Sequence, residues 1–443
     1  MPKSEGETRS LPLAVKMEEI ADEENLKRAF KRVASNHGAP GPDRRSIEEV
    51  AVHLDVVIRK LRADLVTGSY RPGAIRRVWI PKSDGGRRGL GIPNVLDRVV
   101  QQAVHQVLSP WYEASFHSSS HGFRPGRSCH TAITEAREHV RDGHEWVVDI
   151  DLEKFFDKVP HDRLMCRLEE RIADKRILRL IRHMLKAKVV LPDGVVVSSE
   201  EGTPQGGPLS PLLSNIVLDE LDQELTRRGH YFVRYADDCN VYTRSKRAAE
   251  RVMRSTTSFI ERRLGLKVNT SKSAVARAGR HFLGFRLLLQ GGEVRIGLSA
   301  RTQVRLKTNI REHTPRTWGQ SLDACITKLN AYLRGWVEFF GIGNSIKGVL
   351  RNTDAHLRRR LRAIILHQWK TDRVAVRRLI QLGVHEALAG TVYLGQVARW
   401  HKSQHEAVRR GLHNAFFAKR GLLSLESLWL ERHAKIAVAG NPA

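Results

Sequence analysis

Two short acidic segments hold the residues best suited to chemistry in this chain. Tyr235-Ala236-Asp237-Asp238 lies between the apolar runs 231–233 and 241–242, and Val147-Val148-Asp149-Ile150-Asp151-Leu152 lies 86 residues earlier. Adjacent acids at the bend between two strands project carboxylates beyond the sheet, where a hard cation binds oxygen donors. Strand alternation puts Asp149 and Asp151 on one face, although only one of them need be a ligand. Mg²⁺ takes oxygen ligands in octahedral geometry and keeps some waters, and phosphoryl transfer uses two such ions on the attacking and leaving oxygens. Carboxylates from two neighbouring strands meet that need, so metal-assisted phosphoryl transfer is the expected chemistry. The plainer reading of each acid is a polar residue ending a turn.

The charge balance points to the substrate. The 443 residues include 75 Lys plus Arg against 48 Asp plus Glu, a formal net charge of +27, with 41% hydrophobic residues. That apolar share supports a folded core, while so large a positive excess repels itself unless the surface meets a polyanion. Nucleic acid is the first candidate. Residues 301–443 hold 25 Lys or Arg and 9 Asp or Glu, which weights the partner surface to the C-terminal end. Cys129, Cys166, Cys239 and Cys325 form no C-x-x-C pair, which argues against a disulfide framework or thiolate zinc site and fits a reducing cytoplasm. No apolar run approaches the roughly 18–20 residues of a membrane span, and Glu5, Glu7, Glu18 and Glu19 stand where targeting peptides avoid acids. A soluble, unprocessed cytoplasmic protein with no membrane partner is expected.

The positioning elements read as α+β followed by an α-rich module. Residues 1–20 are polar without steady periodicity and are expected to form a flexible tail. Helical spacing covers 47–65, 95–108, 129–140, 162–172, 175–187, 209–228 and 246–264. Hairpins are expected at Ser83-Asp84-Gly85-Gly86, Pro192-Asp193-Gly194 and Gly291-Gly292. Residues 146–150 read as an apolar strand, and 231–242 as two strands bent at Asp237 and Asp238. After residue 300 nearly everything reads as basic helix.

With those segments in order, the chain resembles the reverse transcriptases encoded inside bacterial group II introns, over nearly its whole length. In Asp151-Leu152-Glu153-Lys154-Phe155-Phe156-Asp157 an acid precedes an aromatic by five residues, the family's spacing of first catalytic acid and sugar gate. Gly202-Thr203-Pro204-Gln205-Gly206-Gly207-Pro208-Leu209-Ser210-Pro211 resembles its template- and nucleotide-positioning loop, and the hairpin from Val78 to Pro93 its fingers. Phe123-Arg124-Pro125-Gly126-Arg127, Leu266-Lys267-Val268-Asn269-Thr270-Ser271-Lys272 and His281-Phe282-Leu283-Gly284-Phe285 are similar to further polymerase segments, the last to a primer grip. Leu329-Asn330-Ala331-Tyr332-Leu333-Arg334-Gly335-Trp336 and Leu357-Arg358-Arg359-Arg360-Leu361-Arg362 resemble the thumb, or maturase, domain.

The resemblance implies a right-hand polymerase with fingers and palm (the reverse transcriptase fold), then an α-helical thumb and a basic C-terminal extension. Its expected segments are an N-terminal extension with fingers (21–142), palm with interleaved fingers elements (143–298), thumb or maturase domain (299–375) and nucleic-acid-binding extension (376–443). It implies an RNA-directed DNA polymerase that copies RNA into cDNA and binds its intron RNA as a maturase assisting splicing and retromobility. Expected partners are group II intron RNA, an RNA template with a DNA primer, dNTPs and target DNA, with nucleoid association when DNA is bound. Lacking a Cys-paired, His-Asn-His-type endonuclease segment, the chain is similar to class C intron proteins.

The resemblance also assigns roles. Asp151, Asp237 and Asp238 become the catalytic acids and, with the Ile150 main chain, ligands of two Mg²⁺ ions, for which Mn²⁺ can substitute. Asp149 becomes a flanking residue, and the Ile150 and Leu152 main chains help with metal or nucleotide. Phe156 excludes a 2′-hydroxyl, or is simply a core phenylalanine. Lys82 and Arg88, on opposite arms of the hairpin, close on a triphosphate, the lysine as a point charge and the arginine as a bidentate fork; the alternative is a solvated basic hairpin. Gln205 hydrogen-bonds without adding charge, and Gly206 and Gly207 permit close backbone approach. Arg76, Arg124, Gly206, Lys272, Arg358, Arg359 and Arg360 are assigned to nucleic acid. Arg124 alternatively braces the fingers, and Lys272 protonates the leaving pyrophosphate or is a surface lysine. His401 and His405 lack an acid or Cys to complete a metal site and read as solvated or phosphate-facing. Two competing readings are an RNA-folding scaffold and a relative diverted to host defence or spacer capture. Intact Asp151, Asp237, Asp238 and Gln205 weigh against the first, and the maturase-like thumb against the second.

Overall fold

The computed structural model describes residues 14–81, 85–198, 201–203, 205–315, 319–393 and 397–439. Two compact units emerge, Met1–Arg277 and Ala278–Ala443.

In the first unit, strands β1 (Ile75–Pro81), β2 (Arg87–Ile92), β3 (Trp146–Ile150), β4 (Val189–Val190), β5 (Val196–Val197), β6 (Tyr231–Tyr235), β7 (Asp238–Thr243) and β8 (Ala274–Arg277) form two sheets. Their orders are β2-β1-β4-β5 and β6-β7-β3-β8. Strand β3 lies inside its sheet, antiparallel to both β7 and β8, with Val148 and Ile150 fully buried. Its run of β-branched residues suits a strand covered by neighbours on both edges. Helix Lys246–Phe259 packs on β3 and β7, while helices Cys129–Arg141 and Ser210–Arg227 pack on β6. The sheet is thereby anchored in one apolar core, and the strand ends at its rim are free to carry polar groups.

Two local differences from the sequence reading have physical causes. Residues 17–20, expected in the flexible tail, form a helix with Val15, Met17 and Ile20 buried. The Met17 amide donates to Asp174 Oδ2 at 2.9 Å, and Asp174 also caps helix Lys175–Leu185. One carboxylate 157 residues away thus orders a stretch too short for periodicity to reveal. Helix Val95–Glu113 runs past the expected end at 108 and through Pro110. Proline removes one helical hydrogen bond, but Tyr112 two residues on is buried and carries the helix forward.

The second unit opens with the antiparallel pair β9 (Phe285–Gln290) and β10 (Glu293–Leu298), turned at Gly291-Gly292 as expected. Helices Ala300–His313, Leu322–Phe340 and Lys347–Gln368 follow, and Leu329, Leu333, Leu357 and Leu361 meet in its core. Asp354 caps the start of helix Leu425–Ala439, accepting from the Leu425 and Glu426 amides at 2.9 and 3.1 Å. Among the described residues, no helix is long and apolar enough to cross a membrane.

Candidate active site

Strands β6 and β7 join through a tight turn with Tyr235 opposite Asp238, leaving Ala236 and Asp237 at its tip. Ala236 has φ of 56°, a left-handed conformation that L-residues with a side chain rarely adopt. Something must hold it there. Beneath the turn, Arg234 and Asp222 form a fully buried ion pair, with Arg234 Nε and Nη2 donating to Asp222 Oδ1 and Oδ2 at 2.7 and 2.5 Å. The same guanidinium donates to Ala236 O at 3.0 Å, Asn215 Oδ1 at 3.1 Å and Ser120 Oγ at 2.7 Å. Asn215 in turn donates to Gly122 O at 2.9 Å. A Cβ on Gly122 would stand 2.3 Å from the Ala236 amide, so only glycine lets this loop brace the turn.

Asp151 follows the end of β3, whose Ile150 pairs with Cys239 at the start of β7. Its main chain is fixed from a segment more than a hundred residues downstream: Asp151 N donates to Ser273 Oγ at 3.0 Å, and Asn269 N donates to Asp151 O at 2.8 Å. Asp151, Asp237 and Asp238 line one cleft of about 1020 Å³ within the first unit, together with Arg77, Arg88, Leu152, Phe156, Gln205 and Lys272. Eight of the sixteen residues assigned from the sequence are therefore brought together.

The electrostatics of these acids follow from that crowding. Burial, then the Asp237, Asp151 and Asp149 charges, push Asp238 up to about 7, with Lys272 opposing them. Asp237 is also raised, by burial and then Asp151, against the pull of Arg88 and Arg234. Asp238 still opens onto the cleft, so solvent screens part of this repulsion. Hard oxygen donors in mutual repulsion at one wall fit a divalent cation. Among the described residues, no group of three or more His, Cys, Asp or Glu side chains is arranged to hold a metal ion.

The loop after residue 201 is tied to the rest of the site through backbone. Thr203 N donates to Phe156 O at 2.6 Å, and Gly91 N at the end of β2 donates to Gln205 O at 2.6 Å. Gly206 has φ of 115°, and a Cβ there would stand 2.4 Å from Gly91 O. The glycine is thus required by the loop's approach to β2, and Gly206 is not among the cleft-lining residues. Phe156 is 8% exposed and lines the cleft, edge-on to Phe155 and Phe123 at ring separations of 5.3 and 6.5 Å.

Several assigned residues sit elsewhere, each for a stated reason. Lys82 lies outside the described residues. On β1, Ile75, Arg77 and Trp79 line the cleft, and strand alternation turns Arg76 to the other face, where it donates to Pro40 O at 2.7 Å. Arg77, Arg87, Lys154 and Lys158 are cleft-lining cations that the sequence reading did not assign. Ile150 is buried within the sheet and does not line the cleft. Arg124 is a brace rather than a nucleic-acid contact: buried, it pairs with Glu113 at 2.7 Å and donates to the carbonyls of His117 and Ser120.

In the second unit, the run Arg358-Arg359-Arg360 splits three ways. Arg360 is buried and donates to Thr314 Oγ1 and O at 2.5 and 2.6 Å, so it does not grip phosphate. Arg359 stacks over Trp400 at 4.0 Å, and Arg358 is half-buried beside a surface depression. His401 and His405 lie on different elements, and His405 Nδ1 accepts from the Ala407 amide as a helix cap.

Comparison with known proteins decides the family. Residues 80–287 match the family of reverse transcriptase (RNA-dependent DNA polymerase), and residues 303–381 match the group II intron maturase-specific domain. Protein YkfC of Escherichia coli (strain K12) is 33% identical over 352 residues, covering 70% of this chain and 90% of YkfC. The chain belongs to the group II intron reverse transcriptase and maturase family. The group II intron-encoded protein LtrA of Lactococcus lactis subsp. cremoris is 41% identical over 167 residues, 38% of this chain and 28% of LtrA. Among solved structures, a partial Cas6-RT-Cas1–Cas2 complex resembles 55% of this chain and 42% of its own at a TM-score of 0.35 and 25% identity. Membership makes RNA-directed DNA synthesis the activity, nucleic acid the substrate and divalent metal a general requirement.

Proposed function

We propose that this reverse transcriptase extends a DNA primer on RNA by nucleotidyl transfer at Asp151, Asp237 and Asp238, and that it binds group II intron RNA as a maturase. The observation that carries the reading is the meeting of these three acids, from β3 and the β6–β7 turn, in one cleft with Arg88, Phe156 and Gln205. The acids would hold two Mg²⁺ ions, or Mn²⁺ in their place, which lower the charge on the attacking and leaving oxygens. In the reaction the primer 3′-oxygen bonds to the α-phosphorus, the bond to the leaving pyrophosphate breaks, and the 3′-hydroxyl proton passes to solvent water. Arg77 and Arg88 supply positive charge to the triphosphate from the β1–β2 hairpin. Lys272, which lines the same cleft as Asp238, would return a proton to pyrophosphate. Gln205 sets the template-side loop through its bond from Gly91. Regions 21–142, 143–298, 299–375 and 376–443 serve as fingers, palm, thumb and nucleic-acid-binding extension.

Sugar selection gives a test specific to this geometry. If the Phe156 ring borders the sugar, Phe156→Val, which keeps the site apolar, raises the rNTP to dNTP incorporation ratio by about tenfold to a hundredfold. Single-nucleotide extension with matched dNTP and rNTP measures it; an unchanged ratio with normal dNTP use would make Phe156 a packing residue only.

A further inference from the structure

Phe123 is half exposed, yet it sits at φ of 60°, a left-handed conformation that a residue with a side chain keeps only when its surroundings hold it there. Both neighbours supply that hold. The Gly122 carbonyl accepts from Asn215 Nδ2 at 2.9 Å, and Gly122 lies too close to the Ala236 amide for a Cβ to fit. Arg124 is fixed by Glu113 and by the carbonyls of His117 and Ser120. With half its surface in solvent, the Phe123 ring offsets little of the backbone strain by its own burial. The strained backbone instead presents that ring to Phe156, edge-on at a centroid separation of 6.5 Å, within the range aromatic pairs favour. Phe156 lines the cleft and Phe123 does not. The Phe156 main chain is held separately: its carbonyl accepts from Thr203 N at 2.6 Å, and a Cβ on Gly202 would stand 2.8 Å from the same oxygen.

We propose that Phe123 is a positioning residue for sugar selection, backing the Phe156 ring so that it does not yield to a ribonucleotide. The inference rests on the reading of Phe156 as the residue that borders the sugar. A ribonucleotide differs there by one oxygen atom, so a ring rejects it only if the ring cannot retreat by that much. A side chain packed behind the ring supplies the resistance, because a close-packed neighbour transmits strain where empty space would absorb it. Phe155 also meets Phe156, at 5.3 Å, but it rides on the same short helix, Phe155–Lys158. Phe123 comes from a loop tied to strand β6, with His121 N donating to Arg234 O at 2.8 Å and Arg234 N to Ser119 O at 2.9 Å. Strand β6 leads directly into the turn that bears Asp237. The loop therefore refers the ring to the strand that carries the acids, and the two keep one spacing.

The test uses the full chain and single-nucleotide extension on an RNA template with matched dNTP and rNTP. It compares the parent with Phe123→Ala, Phe123→Tyr, Phe156→Val and the double variant Phe123→Ala/Phe156→Val. Alanine carries a Cβ and so keeps the backbone restriction of phenylalanine while removing the ring. Phe123→Ala raises the rNTP to dNTP ratio of kcat/KM by about two- to tenfold, the strength at which aromatic pairs couple, and the rise comes from a lower rNTP KM. Phe123→Tyr, which keeps the ring, holds the parent ratio. In the Phe156→Val background the loss of Phe123 raises the ratio no further, because the ring it backs is gone. A ratio unmoved by Phe123→Ala, while Phe156→Val raises it, overturns the backing role and leaves the reading of Phe156 standing. An equal rise in both backgrounds overturns it too, since Phe123 would then act on its own. Proportionate loss of dNTP and rNTP use in Phe123→Ala, the mark of a merely structural loop residue, does the same. A ratio unmoved by Phe156→Val removes the reading of Phe156 itself, and the backing role with it.

Discussion

Asp238→Asn will slow primer extension by at least about 10³-fold, since the acids of a two-metal site stabilise the transition state by several kcal/mol and each 1.36 kcal/mol is tenfold in rate. The same substitution will raise the melting temperature of the metal-free protein. Burial and its acidic neighbours push the Asp238 carboxyl from 3.8 up to about 7, so between those values the folded chain binds more protons than the unfolded one. Stability of the metal-free parent therefore falls as pH rises through that window, and the asparagine variant lacks this part of the decline. Melting curves at pH 5 and pH 8 without divalent ions measure the difference. The gain is moderated because the side chain opens onto the cleft. Parallel pH profiles for the two proteins would show that the acids are not electrostatically coupled in the folded state.

The second large effect concerns the buried pair beneath the turn. Asp222→Ala leaves Arg234 charged and unpaired in the core and should lower stability by about 3–5 kcal/mol. Replacing both partners with apolar residues of similar volume often restores stability. The double variant Arg234→Met/Asp222→Leu is expected to recover most of the loss, yet it lacks the donor to Ala236 O and the link to Ser120. Its kcat should fall at least about tenfold, the equivalent of one lost hydrogen bond in the turn, while template–primer affinity stays within a fewfold. Full activity in the refolded double variant would reduce the pair to a packing element.

The strands that carry the candidate acids were legible because local signals agreed. Apolar alternation, two acids at a bend and a Gly-containing turn each depend on residues a few positions apart, and β3, β6, β7 and the β1–β2 pairing appear where those signals lie. What stayed hidden depends on distant partners. Charge in a sequence does not reveal burial: Arg124, Arg234 and Arg360 look like surface arginines, yet each is enclosed and spends its donors on carbonyls, hydroxyls or carboxylates. The choice between Arg76 and Arg77 turned on strand phase: Ile75, Arg77 and Trp79 share the cleft-lining side of β1. Ser273 and Asn269, which hold the Asp151 main chain from the strand edge, carry no local mark of that role. The same limit applied to the thumb arginines, whose helical spacing rather than adjacency decides which share a face.

The most direct measurement is extension of a DNA primer annealed to an RNA template by the purified full chain, supplied with dNTPs and titrated with Mg²⁺, alongside Asp237→Ala and Asp238→Ala. The parent should extend the primer in a metal-dependent manner, and both variants should lose extension while binding the RNA within a fewfold of the parent. A folded parent that binds the template and leaves the primer unextended on several templates, with Mg²⁺ or Mn²⁺, would contradict the assignment of these acids to nucleotidyl transfer.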